Sequence, residues 1–510
     1  MDNKNFYNVV DDFINRNFFS KTLGKTAFID DNKSISYENL FDKIKNFACS
    51  LYNIGLKKNN RVLIILEDSI DFPISFLGSI WGGIIPICIN TMLPENDYRY
   101  IMEDSEADAV IVSFPIYQNI KNAIKKSKSK AKIIVSGDNI SSEISLNDLL
   151  KEQEIIEVAN TRLDDICLWL YSSGSTGRPK GTLHTHQNIM ATANCYAKHV
   201  LKVRSDDIFF SAPKLYFAYG LGNALTFPLS VGATSILMAG RPTVNSVMKI
   251  IREKKPTLFF GVPTLYASLL KENLNKDDFS SLRLGVSAGE ALPAHLYEKL
   301  LNNFGVKVLD GIGTTEMLHM FISNRIDKIF PGSTGIPVPG YKARIIKDNG
   351  KLANSNEMGE LEINGPSSAI GYWNKKEKTK NTFLKNWTRT GDKYIRNNEG
   401  AYTYCGRADD MMKVSGQYVS PFEVEAALQK HPSVFEAAVV ANKDNNDLIK
   451  PKAFIVLNDN FVQSEKLELE LTNHVKSILT PFKYPRWYEF TDNLPKTSTG
   501  KIQRYKLRKS

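Results

Sequence analysis

Through its first three hundred residues the chain repeats one pattern: a short apolar run, then a segment with apolar residues three and four apart. Arg61–Glu67, Ile84–Ile89, Ala109–Ser113 and Lys132–Ser136 are such runs, and Asn96–Ser105 and Ile116–Lys126 are helical segments among them. A strand this apolar has no face for solvent and must be covered on both sides. Alternation of strands with helices supplies that cover, so the pattern predicts a parallel, doubly wound sheet. The scheme resumes at Ile208–Ser211, Ala233–Met238, Leu258–Gly261, Leu282–Ser287 and Val306–Asp310, which assigns residues 1–330 to an α/β domain. Helices are also expected at Asn8–Phe19, from Ser36 as cap to about Ile54, and at Gln187–Val200.

Beyond Gly332 the texture changes. Short alternating runs at Lys342–Ile346, Gly359–Ile363, Asp392–Arg396 and Gly400–Tyr404, punctuated by glycine, predict an antiparallel β-rich subdomain over 331–405. Residues 406–410 form a compact junction. Residues 411–510 then carry helices at Phe422–Lys430 and Glu465–Leu479 and strands at Val434–Ala441 and Lys452–Leu457, which predict a small α+β domain.

Composition narrows the function. The net charge of +10 sits largely in lysine-rich runs such as Lys121–Lys132 and Arg504–Lys509. No aromatic residues interleave the first run, so it reads as solvated surface and no nucleic-acid partner is expected. A mild positive field would still attract anionic substrates. Five scattered cysteines (Cys49, Cys88, Cys167, Cys195, Cys405) read as free thiols in a reducing compartment. The uncharged stretch Phe72–Ile89 is broken by Pro73, Gly82-Gly83 and Pro86, so it reads as helix, turn and strand. A cytoplasmic protein without a membrane segment is expected.

Five stretches carry chemistry. The first follows the strand Ile166–Leu170: Ser172, Ser173, Gly174, Ser175, Thr176 and Gly177 lead to Lys180 and Gly181. Small residues let backbone N–H groups approach an anion, hydroxyls add donors, and Lys180 adds a charge. The spacing is not that of a Walker loop; the set suits a polyphosphate, although such runs also occur as plain surface loops. The second, Asp310-Gly311-Ile312-Gly313-Thr314-Thr315-Glu316, follows a strand, where open α/β sheets bind ligands. Its carboxylate suits Mg2+ between phosphate oxygens, or the Thr-Glu pair caps a helix. The third is Ser287 to Leu292, with Gly289, Glu290 and Ala291. The fourth is Thr390-Gly391-Asp392, followed by Arg407, and the fifth is Leu494 to Ile502, whose turn presents Lys501. His184 and His186, two residues apart, lack a third ligand nearby and do not read as a metal site.

These stretches, in this order, resemble the signature elements of the adenylate-forming superfamily, which includes acyl- and aryl-CoA ligases, adenylation domains and firefly-type luciferases. The resemblance implies that ATP is the nucleotide, with Gly289, Glu290 and Ala291 on its adenine side and Asp392 on its ribose. Arg407 approaches the nucleotide, Thr315 the α-phosphate, and Glu316 the Mg2+. Ile312 stands where the second element usually has tyrosine. Lys501 matches the lysine that serves adenylation. Arg407-Ala408-Asp409 fits the superfamily's hinge, with Asp409 as pivot for a mobile C-terminal domain. Rotation brings Lys413, Ser415 and Gly416 to the CoA side.

A closer resemblance, to benzoate–CoA ligases, lies in Lys214–Pro228, in Arg241-Pro-Thr243 and in Glu316 to Phe321. It implies an aryl pocket of Ala218, Tyr219, Gly220, Gly313, His319 and Met320, with Met320 where those enzymes often carry isoleucine. The expected partners are an aromatic carboxylate, ATP and CoA, and a homodimer is compatible with the pattern. The alternatives are transfer to a separate carrier protein, or another carboxylic acid. No tethered carrier follows Ser510, which favours free CoA, and the presence of both Lys501 and Glu316 argues against a dead nucleotide sensor.

Overall fold

A computed structural model describes residues 6–138, 140–151, 156–172, 178–414, 417–445, 448–496 and 502–508, with backbone only for Asp409, Gln417, Tyr418 and Pro481. Among the described residues, two large sheets dominate. One has nine strands: Val308–Gly313, Leu284–Ser287, Leu258–Gly261, Ile208–Ser211, Thr234–Ile236 and Thr26–Ile29 run parallel through its centre. Met320–Ser323 and Ile336–Pro337 close one edge and Ser34–Ser36 the other, all antiparallel. The second sheet has eight strands and is parallel from Ile144–Ser145 through Arg61–Ile65 to Ile166–Ser172, with Lys180–Thr185 antiparallel beyond it.

Side-chain alternation along the strands explains why these runs are wholly apolar. Val62 and Ile64 point into a core shared by both sheets, while Leu63 and Ile65 point to the opposite face. In the nine-stranded sheet Phe209, Leu258 and Phe260 enter the shared core, and Phe210 and Phe259 the far one. The helices Val9–Phe19, Tyr37–Asn53 and Asp71–Trp81 supply Phe13, Phe47, Phe72 and Phe76 to the shared core. Asp71–Trp81 and the strand Ile85–Cys88 account for the uncharged stretch. No helix among the described residues is long and apolar enough to cross a membrane.

Several details differ from the sequence reading, among them three that bear on the site. The strand expected to end at Asp310 continues to Gly313, because Gly311 and Ile312 pair with Ser323 and Ile322. The helix expected over Gln187–Val200 is α-helical only over His186–Thr192 and then widens to a π-helix, Ala193–Leu201. Gly371–Tyr372, within the β-rich stretch, leaves the antiparallel meander of Lys342–Ile346, Met358–Asn364, Trp387–Arg396 and Tyr402–Arg407 and pairs with Lys180–Thr185.

After a 3-10 turn at Ala408–Asp410, the C-terminal lobe packs the helices Pro421–Leu428 and Glu465–Ile478 on a three-stranded sheet. Val424, Leu428, Val439, Ile455 and Leu471 form its core. Arg504 donates from Nη2 to both oxygens of Glu425, at 2.9 and 2.7 Å, and Glu425 Oε1 also accepts from Val439 N at 2.7 Å. Arg508 pairs with Asp410, which ties the last helical turn to the junction.

Candidate active site

A cleft of about 2750 Å³ opens between the lobes, and described residues of all five stretches reach it. Its lining includes Ser172 and Lys180, Gly289 to Ala291, Gly311 to Glu316, Asp392 and Arg407; Lys496 and Ile502 line it from the C-terminal lobe. Ser173, Gly174, Ser175, Thr176, Gly177, Ser415, Gly416 and Lys501 lie outside the described residues. The residues bracketing Lys501 are placed: Lys496 and Ile502 form an antiparallel bridge at the cleft.

The nucleotide side is built by two strands that run into it. Lys180, at the start of the strand Lys180–Thr185, places its ammonium 3.9 Å from Glu316 Oε1 and 4.1 Å from the ring centre of Tyr372. The Tyr372 hydroxyl donates to Glu316 Oε1 at 2.7 Å. Burial pulls the Lys180 pKa below its ordinary value, and the Glu316 charge opposes that shift. His184 lies on the same strand face as Lys180, and its Nε2 meets the Thr315 carbonyl at 2.8 Å. The turn bearing Thr315 and Glu316 is thus tied to the strand bearing Lys180. That turn reverses the chain at Leu318, whose φ of 61° and ψ of −30° are strained for a leucine, a cost of about 1–3 kcal/mol of the kind that clusters at functional sites.

Asp310 is buried, and Leu292 N donates to its Oδ2 at 3.3 Å. Burial pushes its carboxyl well above the usual carboxylate range. Arg407 donates to Asp392 Oδ1 and to the Thr390 carbonyl, both at 3.0 Å. The Asp392 charge raises the Arg407 pKa still further, so the guanidinium is a permanent cation here. Among the described residues, the hydroxyls of Ser172 and Thr314 are buried without a hydrogen-bond partner, the state of a group left for a ligand to satisfy. Ile312, half-buried, lines the cleft at the position where tyrosine was the expected residue.

The aryl residues lie directly behind this wall. A side chain at Gly313 would stand 2.7 Å from the His319 backbone carbonyl, so only glycine lets the wall approach so closely. His319 packs on Phe227, Tyr196 and Tyr219 with ring centres 4.6, 5.2 and 5.7 Å apart, and its Nε2 meets Asn223 Oδ1 at 3.1 Å. Burial holds its pKa down to about 3, which keeps the ring neutral at pH 7. Tyr219 donates to the Val286 carbonyl at 3.2 Å, pinning the Ala218–Leu221 helix to a strand end. Met320 is buried, with its sulfur against Gly311. Ala218, Tyr219, Gly220, His319 and Met320 are not in the lining of the open cleft, whereas Tyr216 and Phe217 are. Lys413 is exposed and is also absent from that lining.

Gly222 gives a direct test of this packing. A Cβ there would lie 2.4 Å from His319 Cδ2. Gly222→Ala is expected to displace the imidazole and to cost about 1–3 kcal/mol. Urea unfolding should read a lower midpoint at unchanged slope; an unchanged midpoint would show the ring can shift freely.

Residues 16–373 match the AMP-binding enzyme family and residues 423–501 the AMP-binding enzyme C-terminal domain. The chain belongs to the AMP-binding enzyme family. Over 98% of its length and 96% of the relative it is 51% identical to a protein named benzoate–CoA ligase from Thauera aromatica. The crystal structure of a benzoate CoA ligase from Burkholderia xenovorans LB400 superposes with a TM-score of 0.93 at 45% identity, covering 98% of this chain and 100% of that one. The anthranilate CoA ligase AuaEII, solved with anthranoyl-AMP, superposes at a TM-score of 0.94 with 39% identity, covering 99% and 97%.

Proposed function

We propose that this chain is an AMP-forming ligase that joins an aromatic carboxylate, benzoate or a substituted benzoate, to CoA. A carboxylate oxygen attacks the α-phosphorus of ATP, the bond to the bridging oxygen breaks, and pyrophosphate leaves aryl-AMP behind. The CoA thiol, giving up its proton, then attacks the acyl carbon, and AMP leaves. One observation carries the reading: the turn that presents Thr315 and Glu316 to the cleft runs straight into His319, so phosphate side and ring side share one wall.

In the first step two anions must meet, so the site's task is to neutralise charge without reorganising. Lys180, Arg407 and Lys501 are the cations assigned to it, with Thr315 donating at the α-phosphate. Gly289, Glu290 and Ala291 take the adenine side and Asp392 the ribose, consistent with the position of each on the cleft. Mg2+ fits this donor set: Glu316 presents a carboxylate to the cleft that Thr314 also lines, its hydroxyl without a partner among the described residues, and hard cations take oxygen ligands. When bound, it would offset negative charge on the phosphate oxygens. For the second step the C-terminal lobe turns about Asp409, carrying Lys501 away and bringing Lys413, Ser415 and Gly416 to the thiol's path.

The protein with benzoate is expected to exchange labelled pyrophosphate into ATP and, with CoA, to form benzoyl-CoA and AMP. Acetate or palmitate giving the faster exchange would remove the aromatic assignment. A panel of hydroxy-, amino- and unsubstituted benzoates in the same assay names the acid.

A further inference from the structure

Ser172, Lys180 and Tyr372 come from separate strands, yet each lies within three residues of a group tied, directly or through one tyrosine, to one carboxylate outside the cleft chemistry. That carboxylate is Asp104, in the last turn of the helix Glu95–Ser105. Its Oδ2 accepts from the Tyr171 hydroxyl at 2.7 Å. Its Oδ1 accepts from the Tyr100 hydroxyl at 3.1 Å, and the same hydroxyl lies 3.1 Å from the Pro179 carbonyl. Lys375 pairs with Oδ1 at 3.3 Å, and the Asp104 carbonyl accepts from Trp373 Nε1 at 2.9 Å. Trp373 also packs against Trp169, with centroids 4.7 Å apart and the rings tilted, and its backbone N–H donates to the Gly181 carbonyl at 2.8 Å. Tyr171 precedes Ser172, Pro179 precedes Lys180, and Trp373 follows Tyr372.

A carboxylate at a helix C-terminus opposes the helix dipole, and this helix has no basic residue in its last turn. Its local position therefore disfavours it, and its compensation comes from these distant donors and the Lys375 charge. Burial and the Asp104 charge both raise the Tyr171 pKa, so its phenol stays protonated and can donate. The side chain thus reaches the first segment through Tyr171, the third through Lys375 and the second through the shared Tyr100 hydroxyl, while the backbone carbonyl holds Trp373.

We propose that Asp104 is a positioning residue for ATP: it fixes the registration of Ser172, Lys180 and Tyr372, and through Tyr372 that of Glu316. It touches neither substrate nor reacting atoms. The proposal extends the ligase reading, on which it rests, to a residue outside the cleft chemistry. Because the three segments meet only on the nucleotide side, loosening them should weaken ATP and leave the acid and thiol steps alone. A misplacement of about 1 Å costs up to about a hundredfold where alignment matters.

Asp104→Asn retains one acceptor oxygen but loses the charge and the second acceptor. It is expected to raise the KM for ATP about tenfold in pyrophosphate exchange, with the benzoate KM and thioester formation from supplied benzoyl-AMP within about twofold of the parent. Asp104→Glu should recover part of the loss. Tyr171→Phe and Tyr100→Phe each remove one hydroxyl and should each raise the ATP KM about threefold; they decide the matter should Asp104→Asn lack a cooperative melt. ATP KM values within twofold of the parent for the folded variants, or equal losses in the two half-reactions, would overturn the positioning role. Calorimetric binding of ATP without any acid separates the two readings. If no aromatic acid supports exchange, the substrate assignment fails, while weaker ATP binding by the variants still upholds Asp104 and unchanged binding overturns it.

Discussion

Lys501→Ala is expected to reduce benzoate-dependent pyrophosphate exchange by about a hundredfold to a thousandfold, the usual loss when a preorganised donor to developing charge is removed. Thioester formation from supplied benzoyl-AMP should remain within about twofold. The asymmetry follows from what each step needs. In adenylation an anionic carboxylate approaches an anionic phosphate, and a cation delivered by the smaller lobe offsets the repulsion. In thioester formation the phosphate is already esterified and departs as AMP, and on the proposed rotation the lobe carrying Lys501 would have turned away. Lys496 and Ile502, bridged to each other, line the same cleft as Glu316 and Arg407. Stopped-flow or quench assays of the two half-reactions check this. Equal loss in both would mean that Lys501 serves a structural or shared role, and that lobe rotation does not separate the steps.

The parallel strands were the most legible part of the fold. Ala109–Ser113, Lys132–Ser136, Ile208–Ser211 and Leu258–Gly261 begin and end where the sequence pattern places them, because a strand covered on both faces stays apolar throughout and its boundaries are sharp. The strand Val308–Gly313 was read too short because its last residues include two glycines, which mark turns locally. Here they permit a close antiparallel neighbour, and nothing within a few residues of Gly313 announces His319's backbone pressing on it. His184 was within reach: alternation along Lys180–Thr185 puts Lys180, Thr182 and His184 on one face. Tyr372 and Asp104 were not. Their partners lie 56 residues away at Glu316 and 67 away at Tyr171, and a contact made by folding leaves no period in the chain. The five signature stretches stand out in the sequence because each packs several polar, flexible residues together, a costly composition unless something satisfies it.

Glu316→Gln tests the electrostatics of the same wall with the shape retained. The amide oxygen can still accept from the Tyr372 hydroxyl, which donates to Glu316 at 2.7 Å in the parent, so the turn should hold and the melting temperature should change little. Two consequences of the lost charge are separable. The exchange rate is expected to fall about a hundredfold or more, and the Mg2+ concentration for half-maximal rate should rise, since a neutral amide is a poorer ligand for a hard cation than a carboxylate. The second consequence concerns Lys180. Burial lowers its pKa, and the Glu316 carboxylate is the neighbour that raises it. With that carboxylate neutralised, burial is less opposed and the pKa falls further. Lys180 is cationic below its pKa and loses its charge as the pH rises through it, so the alkaline limb of the exchange profile should move to lower pH in Glu316→Gln. Lys180→Arg in the same background, whose guanidinium does not titrate in this range, should remove that limb. An alkaline limb at the parent's position in Glu316→Gln would mean that another group sets it and that the 3.9 Å pair does not govern the lysine's charge.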